Sequence, residues 1–190
     1  MTALLYEPVA IIFCQLSLAV IFGLGAWGKF RDFEEFTGIV RNYRLLPELA
    51  IRPVAYLIPV LEAMIAVTLL VGTVQPYPAM GAFFLLAIFA VAMGINILRG
   101  RRYIDCGCFK TKLKQRLSWW LVVRNGVLMA MSAVLVVTAG SAAGMTRPIA
   151  LLDVYTGTMA TIVVVLFYVV LGHVLSEAPK FTTHNGGKYA

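Results

Sequence analysis

Charged residues are scarce in this chain of 190 residues: they make up only 13%, against 61% hydrophobic residues. A soluble domain carries roughly 25% charged and 45–50% apolar residues, so the composition excludes a soluble globular protein and a disordered segment. Three cysteines are too few for a disulfide-stapled secreted module. The chain lacks a phosphate-binding loop, a nucleophile elbow and a zinc-protease helix motif, which argues against nucleotide enzymes and hydrolases. The solvent for so much apolar surface is therefore lipid.

Five apolar runs are long enough to cross a hydrocarbon layer about 30 Å thick as helices. Backbone groups in lipid must bond internally, so these runs are expected to be helical. We predict an all-α integral membrane protein with one domain over residues 1–175, a bundle of five transmembrane helices, and a polar C-terminal tail over 176–190. The predicted spans are Val9–Gly28, Val54–Val71, Ala79–Leu98, Leu117–Ala139 and Gly157–Leu175.

Basic residues are concentrated on one side of these spans. Five lie in segment 29–52, seven in 99–116 and two in the tail, whereas the alternate segments carry only Arg147. By the positive-inside rule, this asymmetry predicts an N-terminus outside the cell and a cytoplasmic C-terminus. The net charge of +7 is then explained by short loops that contact anionic lipid, without a nucleic-acid partner.

The first inner loop contains an amphipathic pattern. Asp32 followed by Glu35 is typical of a capping pair at a helix start. We predict a short amphipathic interfacial helix that lies on the inner membrane surface and ends near Pro47. It either seats the neighbouring spans, the favoured interpretation, or docks a partner. Its apolar face recurs at spacings of three and four residues and comprises Phe30, Phe33, Phe36, Val40 and Tyr43.

Two cysteines, Cys106 and Cys108, flank a single glycine in the second inner loop. Gly107 allows the backbone to fold tightly enough to bring the two sulfurs together. A disulfide in so small a ring would be strained, easily reduced and a good oxidant. Seven cations surround the pair against one acid, Asp105, and neighbouring cations favour the reactive thiolate. The pattern indicates a candidate redox pair.

Two other interpretations of this loop stay open. The cysteines could be inert, with the basic run serving only topology and lipid contact. Alternatively they could form half of a zinc site completed by His173 and His184, although zinc sites favour two to four residues between paired cysteines. We therefore predict no metal centre. The third cysteine, Cys14, is expected to be a packing residue in the first span.

Glu62 is the only acid in the second run, and Arg124 is the only cation in the fourth. Glu62 lies about 13 Å along its helix from Pro53, near the bilayer centre. A central acid costs about 2.5–3.5 kcal/mol even on lenient insertion scales. Glu62 and Arg124 are therefore predicted to form an intramembrane pair, which either staples the second span to the fourth or makes a proton or quinone contact inside the bundle.

Several short motifs occur in an order that resembles known membrane-protein families. Those of the first half resemble the DoxX-related fold: Gly28–Phe30, Asn42–Pro47 and Pro59–Glu62. Those that follow resemble the MauE family of methylamine utilisation proteins: Asn96–Gly100, Asp105–Phe109 and Arg124–Asn125. The resemblance covers roughly Val9–Ala139, and the Cys-Gly-Cys-Phe block is its most specific part. Lys110 departs from it, since related sequences often continue with glycine.

The resemblance implies a role in the maturation of methylamine dehydrogenase, an exported enzyme with a disulfide-rich light subunit and a tryptophan-derived quinone. It also implies a bacterial inner membrane, a thioredoxin-like partner of the MauD type, and a redox function for Cys106 and Cys108. The charges, however, place this pair in the cytoplasm while the client is periplasmic. The pair could pass cytosolic electrons outward, it could exchange with a membrane quinone, or the topology could be inverted. No cofactor is predicted beyond that open quinone.

Three hypotheses of function follow. The first is a thiol–disulfide oxidoreductase component that supports processing, disulfide formation or export of the light subunit. The second is a non-enzymatic scaffold or anchor for the thioredoxin-like partner, in which the cysteines are dispensable. The third is a proton-coupled transporter centred on Glu62, which the lack of internal repeats and of two broken helices disfavours.

Overall fold

The structure is a computed structural model that describes residues 7–71, 76–101, 117–140 and 150–184. Every regular element in these ranges is a helix, which confirms the all-α prediction. The helices are α1 (Pro8–Arg31), α2 (Phe33–Tyr43), α3 (Glu48–Val71), α4 (Pro76–Leu98), α5 (Trp119–Gly140) and α6 (Leu151–His184).

Four of these helices, α1, α3, α4 and α5, are long and apolar enough to cross a membrane. The fifth predicted span lies within α6, whose apolar stretch is described over Leu151–Phe167. α6 continues to His184 and so enters the segment that the sequence assigned to a polar tail. The chain is a multi-pass membrane protein.

The outer faces of the spanning helices are apolar. On α3 and α4, the side chains of Tyr56, Met64, Phe84 and Ile88 are all about 60% exposed. A soluble protein does not leave contiguous apolar surface of this extent in water. These faces are therefore the lipid-facing surface of the bundle.

α1 is the central helix and packs against α3, α5 and α6. Its buried side chains recur every three or four residues, as expected for a helix with one packed face. Cys14 is 8% exposed within this core, which confirms its assignment as a packing residue. The buried positions continue through Gly25 to Lys29, so the packed face of α1 includes the residue that follows the predicted span.

Two amide side chains set the register between helices. Gln15 on α1 donates a hydrogen bond to the carbonyl oxygen of Leu69 on α3, with a donor–acceptor distance of 2.6 Å. Asn125 on α5 donates one to the carbonyl oxygen of Leu86 on α4, also at 2.6 Å. Because apolar surface contributes little to helix association in lipid, such bonds help to fix which turns face each other.

The amphipathic helix predicted after the first span is confirmed as α2. It ends at Tyr43, where Arg44 takes a left-handed conformation with φ of 48°. The predicted capping pair is wrong in one respect, since the side chain of Asp32 makes no cap hydrogen bond. Asp32 is both the C-cap of α1 and the N-cap of α2. Its backbone conformation (φ −132°, ψ 57°) is therefore that of the turn between the two helices.

Gly157 on α6 lies where that helix makes its closest approach to α1. A methyl group at this position would be 2.8 Å from Cγ2 and 3.2 Å from Cβ of Ile12. We expect Gly157→Ala to destabilise the protein by about 1–3 kcal/mol, since Ile12 has no flexible end that could move aside. Gly126→Ala is the matched control, because a Cβ there meets nothing within 4 Å. Thermal unfolding of the purified protein in detergent measures both, and equal stabilities would contradict the close packing.

Candidate functional site

A buried ion pair joins the end of α1 to the middle of α3. Nζ of Lys29 lies 2.8 Å from each carboxylate oxygen of Glu62, and the two side chains are only 6% and 4% exposed. An ionisable group in a membrane bundle is stable only when it has such a partner. The pair is neutral as a whole, so it carries both charges at far less cost than two separate ions would require.

Lys29 makes several contacts besides the one to Glu62. It lies in the last turn of α1, where a cation interacts favourably with the helix dipole. Its Nζ is 5.5 Å from the ring centre of Phe36 and 5.9 Å from that of Phe89, within cation–π range. Its third contact, to the carbonyl oxygen of Gly25, is long at 3.4 Å, beyond the usual 2.7–3.2 Å. One ammonium proton is therefore only weakly engaged.

The sequence identified Glu62 as an anomaly but missed this partner. Lys29 was counted among the cations of the inner loop, whereas it lies on a helix and is buried. The ion pair that the structure describes at Glu62 joins α1 to α3, and the predicted pairing of Glu62 with Arg124 stays a prediction. Arg124 is half-buried on α5. One sequence feature does indicate that Lys29 is buried. It lies four residues after Gly25 and so continues the packed face of α1.

Beside the ion pair lies an apolar cavity of about 530 Å³. It lies between α2, the first half of α3 and the middle and end of α4, and in the part of the chain that the structure describes Lys29 is the one charged member of its lining. Its mouth is bordered by residues of α4 that are about 60% exposed, so it opens sideways toward lipid. These mouth residues are Phe84, Ile88 and Val91.

The apolar stripe of α2 covers this cavity. Phe36, Val40 and Tyr43 all line it, and Phe36 is only 7% exposed. The sequence predicted these three members of the stripe but not what they cover, because an apolar face has the same pattern whether it contacts lipid or a cavity wall. Phe30, the first residue of the predicted stripe, instead lies on α1 and is 43% exposed.

The loop that carries the cysteine pair starts from a well-defined helix end. The N–H of Gly100 donates to the carbonyl oxygen of Ile97 at 3.0 Å, and that of Arg101 donates to the carbonyl oxygen of Asn96 at 2.9 Å. Gly100 has φ of 74°, a left-handed conformation that glycine adopts without strain. These bonds form a Schellman motif, and they explain why α4 stops at Leu98.

The other end of the same loop is anchored next to the first. Leu117 is 2% exposed and packs in a cluster with Met93, Ile97 and Leu121, against which Tyr43 and Phe89 also pack. Residues 101 and 117 are thereby held at one end of the bundle. Three members of this cluster, namely Tyr43, Phe89 and Met93, also line the cavity.

Cys106 and Cys108 themselves lie outside the described residues. The structure describes the two ends of their loop, which pack next to residues that line the cavity. Within the described ranges, no group of three His, Cys, Asp or Glu side chains could hold a metal ion. The site as described thus consists of a neutral buried ion pair, an apolar cavity and the anchored base of the cysteine loop.

Comparison with known proteins gives a consistent result. The sequence profile of the family described as "Methylamine utilisation protein MauE" matches residues 7–139. The "Methylamine utilization protein MauE" of Paracoccus denitrificans is 44% identical over 168 residues, 88% of each chain. The protein of the same name from Methylophilus methylotrophus is 35% identical over 133 residues, 70% of each chain. No solved structure matches the chain.

Breaking the buried ion pair tests its importance for the fold. We expect Lys29→Met or Glu62→Met alone to destabilise the protein by about 3–5 kcal/mol, because each removes one half of a buried ion pair. The double variant is expected to lose less than either single variant, since neither half of this pair then stays behind without the other. Denaturant unfolding in detergent measures the cycle, and simple additivity would mean that the two side chains do not interact.

The chain provides a matched control for this cycle. Arg52 and Glu34 also form an ion pair between α3 and α2, but at 3.8 Å and with side chains 74% and 78% exposed. Removing either of them is expected to cost at most about 1 kcal/mol.

Proposed function

Because the chain belongs to the MauE family of methylamine utilisation proteins, we propose that it is an inner-membrane accessory protein for maturation of the methylamine dehydrogenase light subunit. It acts by thiol–disulfide exchange at Cys106 and Cys108. The observation that carries this proposal is a pair of cysteines one residue apart in a basic loop, both ends of which are anchored on one cluster of the bundle.

The anchored loop base supports exchange chemistry in a physical way. Because Gly100 and Leu117 hold the two ends of the loop, the cysteine pair is tethered to the membrane at a defined end of the bundle. A thioredoxin-like partner of the MauD type would meet the cysteine loop at this end of the bundle.

The exchange step is balanced without any further reagent. A thiolate of the partner attacks one sulfur of the oxidised Cys106–Cys108 pair, which forms a mixed disulfide and releases the other cysteine as a thiolate. A second partner thiolate then attacks the mixed disulfide. The partner leaves as a disulfide and the pair remains as a dithiol. The strain expected in so small a ring favours this direction, in which the pair is the oxidant.

The cysteines can be tested by substitution in a strain that depends on methylamine dehydrogenase. We expect Cys106→Ser and Cys108→Ser each to abolish accumulation of the light subunit while the membrane protein itself persists, since a single thiol cannot resolve a mixed disulfide. Cys14→Ala is the matched control, because Cys14 is packed in the core and its loss is not expected to change light-subunit levels. Immunoblots of both proteins provide the measurement.

The double cysteine variant distinguishes the redox mechanism from the scaffold alternative. Normal light-subunit accumulation in the Cys106→Ser/Cys108→Ser double variant would overturn the redox mechanism. The second candidate, a scaffold that docks the partner, would then be favoured, and substitutions on the exposed side of α2 would be the next variants to test.

The side of the membrane on which the pair acts is proposed to be the cytoplasm, from the charge asymmetry of the loops. In a Cys14→Ala chain, Cys106 and Cys108 are the only thiols. We expect a membrane-impermeant maleimide to label this chain only after the cells are opened. Labelling of intact cells would reverse the proposed orientation.

A further inference from the structure

The cavity beside Lys29 has the chemistry of a ligand site in a membrane. Its volume of about 530 Å³ falls in the range of pockets that bind small organic molecules, roughly 300–1,000 Å³. Among the described residues its lining is apolar except at Lys29 and at the phenol of Tyr43, and part of that lining belongs to helices that span the bilayer. An occupant that arrives from the lipid phase therefore meets few polar groups, and Lys29 is the charged one.

The charges at that contact favour a neutral hydrogen-bond acceptor. Glu62 already neutralises Lys29, with both carboxylate oxygens at 2.8 Å, so an anionic phosphate would have to compete with a carboxylate held in place. A neutral carbonyl competes only with the carbonyl oxygen of Gly25, whose contact to Nζ of Lys29 is long at 3.4 Å.

The aromatic residues around Lys29 favour a flat ring. Phe36 on α2 and Phe89 on α4 both line the cavity, and both rings lie within 6 Å of the Lys29 nitrogen. A planar ring that entered this space would meet aromatic faces or edges from two helices, and such contacts are favourable. From there the cavity continues past Ile88 and Val91 to the lipid, which gives an apolar chain a path out.

We propose that the cavity between α2, α3 and α4 binds the head group of an isoprenoid quinone, with a ring carbonyl accepting a hydrogen bond from Lys29 and the isoprenoid chain leaving through the mouth on α4. The binding site is defined by the cavity and the ion pair, and it does not depend on the cysteine chemistry.

A quinone at this place would also supply the oxidant that the proposed thiol exchange consumes, an extension that rests on the proposed function. Conversion of the Cys106–Cys108 dithiol to a disulfide releases two electrons and two protons. Reduction of a quinone to a quinol takes up both, so the two half-reactions balance. The base of the cysteine loop and the cavity share Tyr43, Phe89 and Met93, which couples the two sites structurally.

Photolabelling can test the binding site directly. The full-length protein in phosphatidylcholine nanodiscs is irradiated with an azido-ubiquinone, and labelled peptides are identified by mass spectrometry. We expect saturable labelling of α2 and of the second half of α4, competed by decylubiquinone and not by phosphatidylglycerol. Labelling that is spread over the lipid-facing surface, or that phosphatidylglycerol competes equally well, would overturn the proposal.

Variants make the test specific to the cavity. Ala92→Phe fills the cavity and is expected to abolish competed labelling, whereas Ala90→Phe introduces the same side chain on the same helix outside the lining and is expected to preserve it. If Ala92→Phe does not fold, Ala87→Phe fills the same cavity from an adjacent turn. Preserved labelling in a folded cavity-filling variant would contradict the site.

Two further double variants test the hydrogen bond from Lys29 and the cysteine pair separately. The double variant Lys29→Met/Glu62→Met removes the donor without leaving a charge, and we expect it to weaken quinone binding by about two- to tenfold, as for one hydrogen bond. The double variant Cys106→Ser/Cys108→Ser is expected to bind quinone normally. Loss of light-subunit maturation with intact quinone binding, or the reverse, therefore distinguishes failure of one proposal from failure of the other.

Discussion

The ion pair between Lys29 and Glu62 is the contact on which this end of the bundle depends. A single charge buried in a hydrocarbon layer is costly, and it is stabilised here by a partner at 2.8 Å with nearly complete burial of both side chains. Because the two residues lie on α1 and α3, the pair allows only one register between these helices. α2 lies beside Lys29, and the ring centre of its Phe36 is 5.5 Å from the ammonium nitrogen.

The same end of the bundle combines two features that the chain separates widely. The cavity is lined by α2, α3 and α4, while the cysteine loop starts at the end of α4 and returns at Leu117. Phe89 and Met93 serve both, since they form one wall of the cavity and part of the cluster that anchors the loop. Under the two proposals above, the quinone site and the base of the cysteine loop thus lie at the same end of the bundle.

Much of the fold could be predicted from local patterns. Apolar runs of about 20 residues must be helical in lipid. The stripe from Phe30 to Tyr43 indicated α2, although Phe30 belongs to α1 and the helix ends at Tyr43 rather than near Pro47. Glu62 could be recognised as unusual from its position alone. Its partner Lys29 could not, because a lysine next to an apolar run is equally compatible with a loop at the membrane surface. The cavity could not be predicted either, since it is bounded by residues far apart in the chain.

The sequence by itself determined the helical class, the apolar spans of α1, α3, α4 and α5, the presence of α2 and the end of α4, because these depend on hydrophobicity, backbone conformation and spacing within one segment. Only the tertiary structure decided that Lys29 faces inward, that it meets Glu62, and that the stripe of α2 covers a cavity. The physical reason is that burial and ion pairing are properties of the space between helices. They depend on which turns of separate helices come together, and no single segment carries that information.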